Sequence, residues 1–126
     1  MGKNILCVPL DPVHDVGLKI IRNALLNKGH NVDLLMPDLP NEEIINFALK
    51  KKYDYILVSR TLGYGVYELL AKFIDLCDAA GIRDTAKLVI GGKPITPQLA
   101  AELGFDKGFS SSSSIEEIVS YIEGKE

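Results

Sequence analysis

The chain has 126 residues, 47% of them hydrophobic and 25% charged, with a formal net charge of -3 at pH 7. That length suits one domain, residues 1–126, with an ordinary buried core. The mild negative charge argues against nucleic acid or an anionic membrane as partner, and no 18-residue apolar run is present to span a bilayer.

The N-terminal stretch Gly2-Lys3-Asn4-Ile5-Leu6-Cys7-Val8 lacks a secretory apolar region and cleavage site, and Ile5 to Pro9 reads as a strand. Gly17 to Lys28 follows with Leu18, Ile21, Ala24 and Leu25 at helical spacing, and Gly29 stands where a helix ends. Val32 to Met36 is a second apolar run, with Pro37 and Pro40 bracketing a turn. Asn41 is expected to cap a helix beginning at Glu42 and Glu43, whose charges suit its positive end; Ile44, Ile45, Phe47 and Ala48 form its inner face.

Tyr55 to Ser59 is a nearly continuous apolar run, as in a parallel strand covered on both faces. After Gly63-Tyr64-Gly65 comes a long helix with Val66, Leu69, Leu70, Phe73, Ile74 and Cys77 inward, closed by Gly81. Lys87 to Ile90 is the fourth strand and ends in Gly91-Gly92. Thr96 followed by Pro97 is a helix start, and Gly104 ends that helix. Lys107 to Phe109 is a short fifth strand, and Ser114 with Glu117 forms a capping box for a last helix carrying Ile115, Ile118, Val119 and Ile122. Cys7 and Cys77 both fall in apolar patterns, as buried thiols of a reducing, cytoplasmic setting.

Strands alternating with helices imply a single flavodoxin-like, doubly wound α/β domain, a five-stranded parallel sheet of order 2-1-3-4-5. In such a sheet the ligand sits beyond the carboxyl ends of the strands, at the switch between strands 1 and 3. Three loops should meet there: Asp11-Pro12-Val13-His14-Asp15-Val16-Gly17, Ser59-Arg60-Thr61-Leu62-Gly63 and Gly91-Gly92-Lys93-Pro94. His14 is the only imidazole among them. It reads either as a surface or capping histidine or as a transition-metal ligand, with Asp11 and Asp15 both near enough to hold its second nitrogen. Ser59 either satisfies its own loop or turns a hydroxyl to a ligand. Gly91-Gly92 is either a tight turn or a place where a planar ligand meets the backbone. Ser110 to Ser114 is either a polar connector or a wall of small residues beside a polar ligand.

Relatives of the same fold are excluded by these residues. A response regulator needs a phospho-acceptor Asp where Ser59 stands, and a flavodoxin needs a Ser/Thr/Gly phosphate loop where Pro12, Val13 and His14 stand. The Gly-x-Gly-x-x-Gly of a dinucleotide site is missing from the first loop, and no residues have the spacing of a nucleophile elbow.

His14-Asp15-Val16-Gly17, then Val58-Ser59 followed by Leu62, then Gly91-Gly92, resemble the B12-binding domains of cobalamin-dependent mutases and methyltransferases. The signature of that family is Asp-x-His-x-x-Gly, Ser-x-Leu and Gly-Gly in this order. The resemblance covers nearly the whole chain. It is closest to the small subunit of glutamate mutase and to the cobalamin domain of the ornithine and lysine aminomutases, above all from Gly81-Ile82-Arg83-Asp84 to Gly108-Phe109.

The resemblance implies cobalamin bound base-off, with His14 as the metal ligand beneath the cobalt and the displaced nucleotide tail in a slot beside the sheet. It places the cofactor against Asp11, Val13, His14, Asp15, Val16 and Gly17, against Ser59, Thr61, Leu62 and Gly63, against Gly91, Gly92 and Lys93, and against Ser110 and Ser111. It implies adenosylcobalamin rather than methylcobalamin. It also implies a large catalytic barrel subunit that binds the substrate, the present chain being the cofactor-carrying part of an isomerase and inactive alone. A corrinoid methyl carrier is the alternative, although such proteins usually place a helical bundle before the domain. A cobalamin sensor, or a relative that has lost the cofactor, is the other.

The sequence departs from the pattern in three places. Pro12 stands where the family's Asp lies, with Asp11 one residue further back. Ser59 and Leu62 are stretched apart, with Thr61 at the usual Leu place. Ala24-Leu25-Leu26 occupies the region where the aminomutases carry a pyridoxal-phosphate lysine, so no pyridoxal phosphate is expected.

Overall fold

The computed structural model describes residues 2–12 and 15–125. Five strands, β1 (Asn4–Pro9), β2 (Asn31–Leu34), β3 (Tyr55–Ser59), β4 (Lys87–Gly91) and β5 (Lys107–Phe109), form one parallel sheet in the order 2-1-3-4-5. The helices are α1 (Val16–Asn27), α2 (Asn41–Ala48), α3 (Val66–Ala79), α4 (Pro97–Leu103) and α5 (Ile115–Ile122). The flavodoxin-like arrangement and strand order expected from the alternating pattern are therefore those observed.

Side chains alternate across each strand, and the two faces carry separate cores. Leu6, Val8, Ile56, Val58, Leu88 and Ile90 face α2, α3 and α4. Ile5, Cys7, Leu57, Val89 and Phe109 face α1 and α5. Because the central strands β1 and β3 are covered on both faces, they are apolar almost throughout, which is why their runs were legible without any alternation.

Local chemistry fixes most boundaries. The Thr96 hydroxyl accepts the Leu99 N–H at 3.1 Å, with Pro97 in the first turn of α4. Ser114 and Glu117 form the capping box of α5. Asn41 behaves differently from the expectation: Pro40 is the capping residue of α2, Asn41 already lies in the first turn, and no side chain caps this helix. The extended backbone of Pro40 makes the entry that a capping side chain otherwise secures. A short 3-10 turn, Ile82–Asp84, precedes β4 and buries Ile82 against the α3 side; three residues are too few to show a period in the sequence.

Cys7 and Cys77 are both fully buried, on opposite faces of the sheet, and burial pushes each thiol up to about 12. Neither thiolate forms near neutrality. The native protein should therefore show no titratable thiol toward Ellman's reagent at pH 8, and both on unfolding in guanidinium. Prompt reaction of either in the folded state would contradict the packing.

Candidate functional site

The registry of the sheet aligns the residues that the sequence marks out. Pro9 pairs with Ser59, Ser59 with Gly91, and Gly91 with Phe109, so one row crosses four strands at their carboxyl ends. Ser59 lies two residues beyond Leu57, and Gly91 two beyond Val89, so both turn to the face of α1 and α5. On that face, beside the switch between β1 and β3, a cleft of about 340 Å³ opens between the sheet and the two helices.

The cleft joins most of the predicted residues: Asp15, Val16 and Gly17 from the start of α1, Ser59 and Thr61 after β3, Gly91 and Gly92 after β4, and Ser110 and Ser111 after β5. Leu62, Gly63 and Lys93 are exposed at the same edge but do not line it. Val13 and His14 lie outside the described residues; His14 directly precedes Asp15, the residue at the mouth of the cleft.

The two glycines after β4 have different physical reasons. A Cβ on Gly92 would stand 1.9 Å from the Arg60 carbonyl oxygen, and its φ is +137°. Gly92 is thus demanded by the backbone of the neighbouring loop. A Cβ on Gly91 would meet only Phe109, its carbonyl oxygen at 3.5 Å and its Cβ at 3.9 Å, both ordinary contacts. Its missing side chain leaves room in the cleft. Gly17 is freer still, since a Cβ there meets nothing within 4 Å.

Asp11 sits elsewhere. Its side chain is wholly buried, and its two carboxylate oxygens accept the Thr61 N–H at 3.2 and 3.1 Å. The Arg60 guanidinium stands 3.8 Å away and is itself buried. Arg60 donates from Nη1 to the Leu10 carbonyl at 2.9 Å, from Nε to Leu62 at 3.0 Å and from Nη2 to Tyr64 at 2.9 Å. This pair braces the β1 loop to the β3 loop. Asp15 is the carboxylate at the cleft, 3.4 Å from Lys19.

Sequence reasoning passed over three features. Ile115 and Ile118 read as core positions but are only half buried, because they wall the cleft with Ile20 and Ile21. Ile20 is 53% exposed and Val16 68%, and this is the one signal available in advance: apolar residues of α1 outside its inner stripe. The Arg60–Asp11 brace joins residues far apart in the chain, and no spacing rule exposes it. His30, the second histidine, is buried at the amino edge of the sheet. Its Nδ1 accepts the Lys3 N–H at 3.0 Å, so the ring proton is on Nε2, which donates to Glu123 at 2.9 Å. The His30 bond, with help from Lys125, holds the Glu123 carboxyl below its usual range. Both ring nitrogens being engaged, His30 has none to offer a ligand.

Fold and cleft together define a doubly wound domain with an open cleft at its switch point, between two helices and the carboxyl edge. The chain belongs to the B12-binding domain family, whose model, described as B12 binding domain, matches residues 3–120. It is 33% identical over 120 residues to the lysine 5,6-aminomutase beta subunit of Fusobacterium nucleatum, covering 86% of this chain and 46% of that one. It is 35% identical over 115 residues to the glutamate mutase sigma subunit of the same organism, covering 84% of this chain and 82% of that subunit. A dimethylamine corrinoid protein of Methanosarcina barkeri is 31% identical over 94 residues, covering 75% of this chain and 44% of that protein. The chain thus spans less than half of the aminomutase subunit and most of the mutase subunit. Among solved structures, a cobalamin-binding protein from Desulfitobacterium hafniense shares the fold, with TM-score 0.79 at 23% identity over 96% of this chain and 58% of that one. Among the described residues no helix is long and apolar enough to cross a membrane.

Proposed function

We propose that this chain is the cobalamin-carrying component of an adenosylcobalamin-dependent mutase or aminomutase, holding the cofactor base-off with His14 as the lower ligand. The observation that carries the reading is the cleft between α1 and α5. It opens at the carboxyl edge immediately beside the residue that follows His14.

The residues present fit the group. Gly17 and Gly91 leave space where any other residue would place a Cβ, so a nucleotide tail can pass between helix and strand ends. Ser59, Thr61, Ser110, Ser111 and Ser113 ring the mouth with small donors suited to ribose and phosphate oxygens. With Asp11 committed to Thr61 and Arg60, Asp15 is the remaining carboxylate of this loop that would orient the imidazole. Cobalamin, when bound, would supply the radical chemistry, and the chain would supply the His14 nitrogen, the orientation and the slot. Leu62, Gly63 and Lys93, exposed at the same edge, would flank the corrin. Substrate would bind on a separate large barrel subunit, in the cytoplasm, a division supported by the likeness to a subunit of glutamate mutase over most of its length.

The likeness to a dimethylamine corrinoid protein favours a second reading, a methyl carrier. The two readings differ in the upper ligand retained and in the partner that co-purifies.

Titration of the protein with adenosylcobalamin and methylcobalamin tests the reading. A visible spectrum shifting to the base-off, imidazole-ligated form at stoichiometric protein is expected, and no binding of either would sink it. Gly17→Ala provides an internal control. It should leave the fold as stable or up to about 1 kcal/mol more stable, since alanine is the better helix former. The added methyl should weaken cobalamin binding on the order of tenfold by crowding the slot. A variant that loses stability instead would place Gly17 in the fold rather than in the site.

A further inference from the structure

Resting on that reading, we infer that the cleft selects corrinoids by their lower base, preferring an apolar benzimidazole to a purine. The cleft is graded by depth. Ser59 and Gly91 stand at the carboxyl end of their strands, while Leu57 and Val89 lie two residues, about 6–7 Å, further in. Ile21 lies four residues into α1 from Gly17, and Ile118 four from Ser114, each about 6 Å down its helix. The strands therefore turn from small or polar to apolar lining within two residues, and the helices contribute apolar lining from their first residues, Val16 and Ile115, inward. Every side chain lining the cleft with a hydroxyl or carboxylate (Asp15, Ser59, Thr61 and the serines after β5) comes from the ends of the elements or the loops beyond them.

The strand backbones at the floor are paired within the sheet, Leu57 with Val89 and with Cys7. Among the described residues no buried side-chain nitrogen or oxygen lacks a hydrogen-bond partner. A base reaching the floor thus faces the side chains of Leu57, Val89, Ile21 and Ile118, which offer neither donor nor acceptor. Dimethylbenzimidazole, away from the cobalt, has one ring nitrogen to desolvate and two methyl groups to bury. Adenine brings further ring nitrogens and an exocyclic amine. Each polar group buried without a partner costs a factor of roughly ten or more in affinity.

The experiment measures binding of three methylated corrinoids to the full chain by ultrafiltration and absorbance: cobalamin, the adenine-based cobamide, and cobinamide, which lacks the nucleotide. The expected order places cobalamin first, with the adenine form at least tenfold weaker and cobinamide weaker than cobalamin. Ile118→Asn, at a half-exposed position, should narrow the gap between the two bases while the melting temperature shows that the fold is kept; Ile21→Asn repeats the test from the other helix. Equal affinity for the two bases overturns the selection, as does cobinamide binding as tightly as cobalamin. Failure of all three to bind overturns instead the cobalamin reading on which it rests.

Discussion

Replacing Arg60 by methionine should cost about 3–5 kcal/mol of stability, because it leaves a fully buried carboxylate without its cation. For a domain of this size that lowers the melting temperature by roughly 10–20 °C. The loss has two parts. The Asp11 side chain, with no exposure at all, retains the Thr61 N–H but loses the guanidinium 3.8 Å away. The carbonyls of Leu10, Leu62 and Tyr64 lose the one side chain that gathers them. Arg60→Lys should recover only part of this loss, since a point charge cannot serve three carbonyls in the plane of a guanidinium. Removing Asp11 as well, in Arg60→Met/Asp11→Leu, should cost less than the two single changes added together. Thermal and urea unfolding of the four proteins measure the coupling. Strict additivity would mean that the pair does not act as a brace.

Gly92→Ala is the second large effect, and it acts on the same loop from the opposite side. Its methyl would stand 1.9 Å from the Arg60 carbonyl oxygen and 2.8 Å from the carbonyl carbon, at a φ of +137°. Backbone, unlike the end of a flexible side chain, cannot step aside cheaply. The combined strain and displacement should cost roughly 3–5 kcal/mol. Gly91→Ala, one residue earlier, should melt close to the parent, because its Cβ meets only ordinary contacts, the nearest at 3.5 Å. Its deficit should appear in cobalamin affinity, as the methyl faces the cleft. Melting temperatures and corrinoid titrations of the two variants should therefore cross: one fails in folding, the other in binding. Two variants failing alike would remove the distinction.

These two changes show where the sequence was legible and where it was not. The Gly91-Gly92 pair was recognisable as a unit, but one strand position decides that the first glycine faces the cleft and the second abuts Arg60. The alternation of apolar runs with helical stripes disclosed the sheet and its order, because each strand covered on both faces keeps a continuous apolar signature. Thr96-Pro97 and Ser114 with Glu117 disclosed two helix starts, because capping is a local interaction. Asn41 misled for the same reason in reverse: a residue apt for capping stood one place inside a helix that Pro40 begins.

The site was legible at its rim and opaque at its floor. Ser59 and Gly91 announce themselves as small residues at strand ends, and Asp15 as a carboxylate at the start of α1. Ile118 and Val89 do not, since an isoleucine on the wall of a slot and one in a closed core obey the same period. Whether α1 and α5 close over the sheet or stand apart is a property of the packed structure. Asp11 was read as a cofactor-side carboxylate; its partners turn out to be Thr61 and Arg60, fifty and forty-nine residues along the chain.

The central claim is that a protein imidazole, that of His14, lies beneath the cobalt while the cofactor's own base occupies the cleft. Electron paramagnetic resonance of the bound Co(II) cobalamin, with the protein grown on 15N-histidine and the cofactor at natural abundance, tests it most directly. A ligand nitrogen from the protein gives triplet splitting in unlabelled protein and doublet splitting in labelled protein, and His14→Ala should abolish the labelled doublet. Triplet splitting that persists in the labelled protein would mean that the benzimidazole still holds the metal, and would contradict the account.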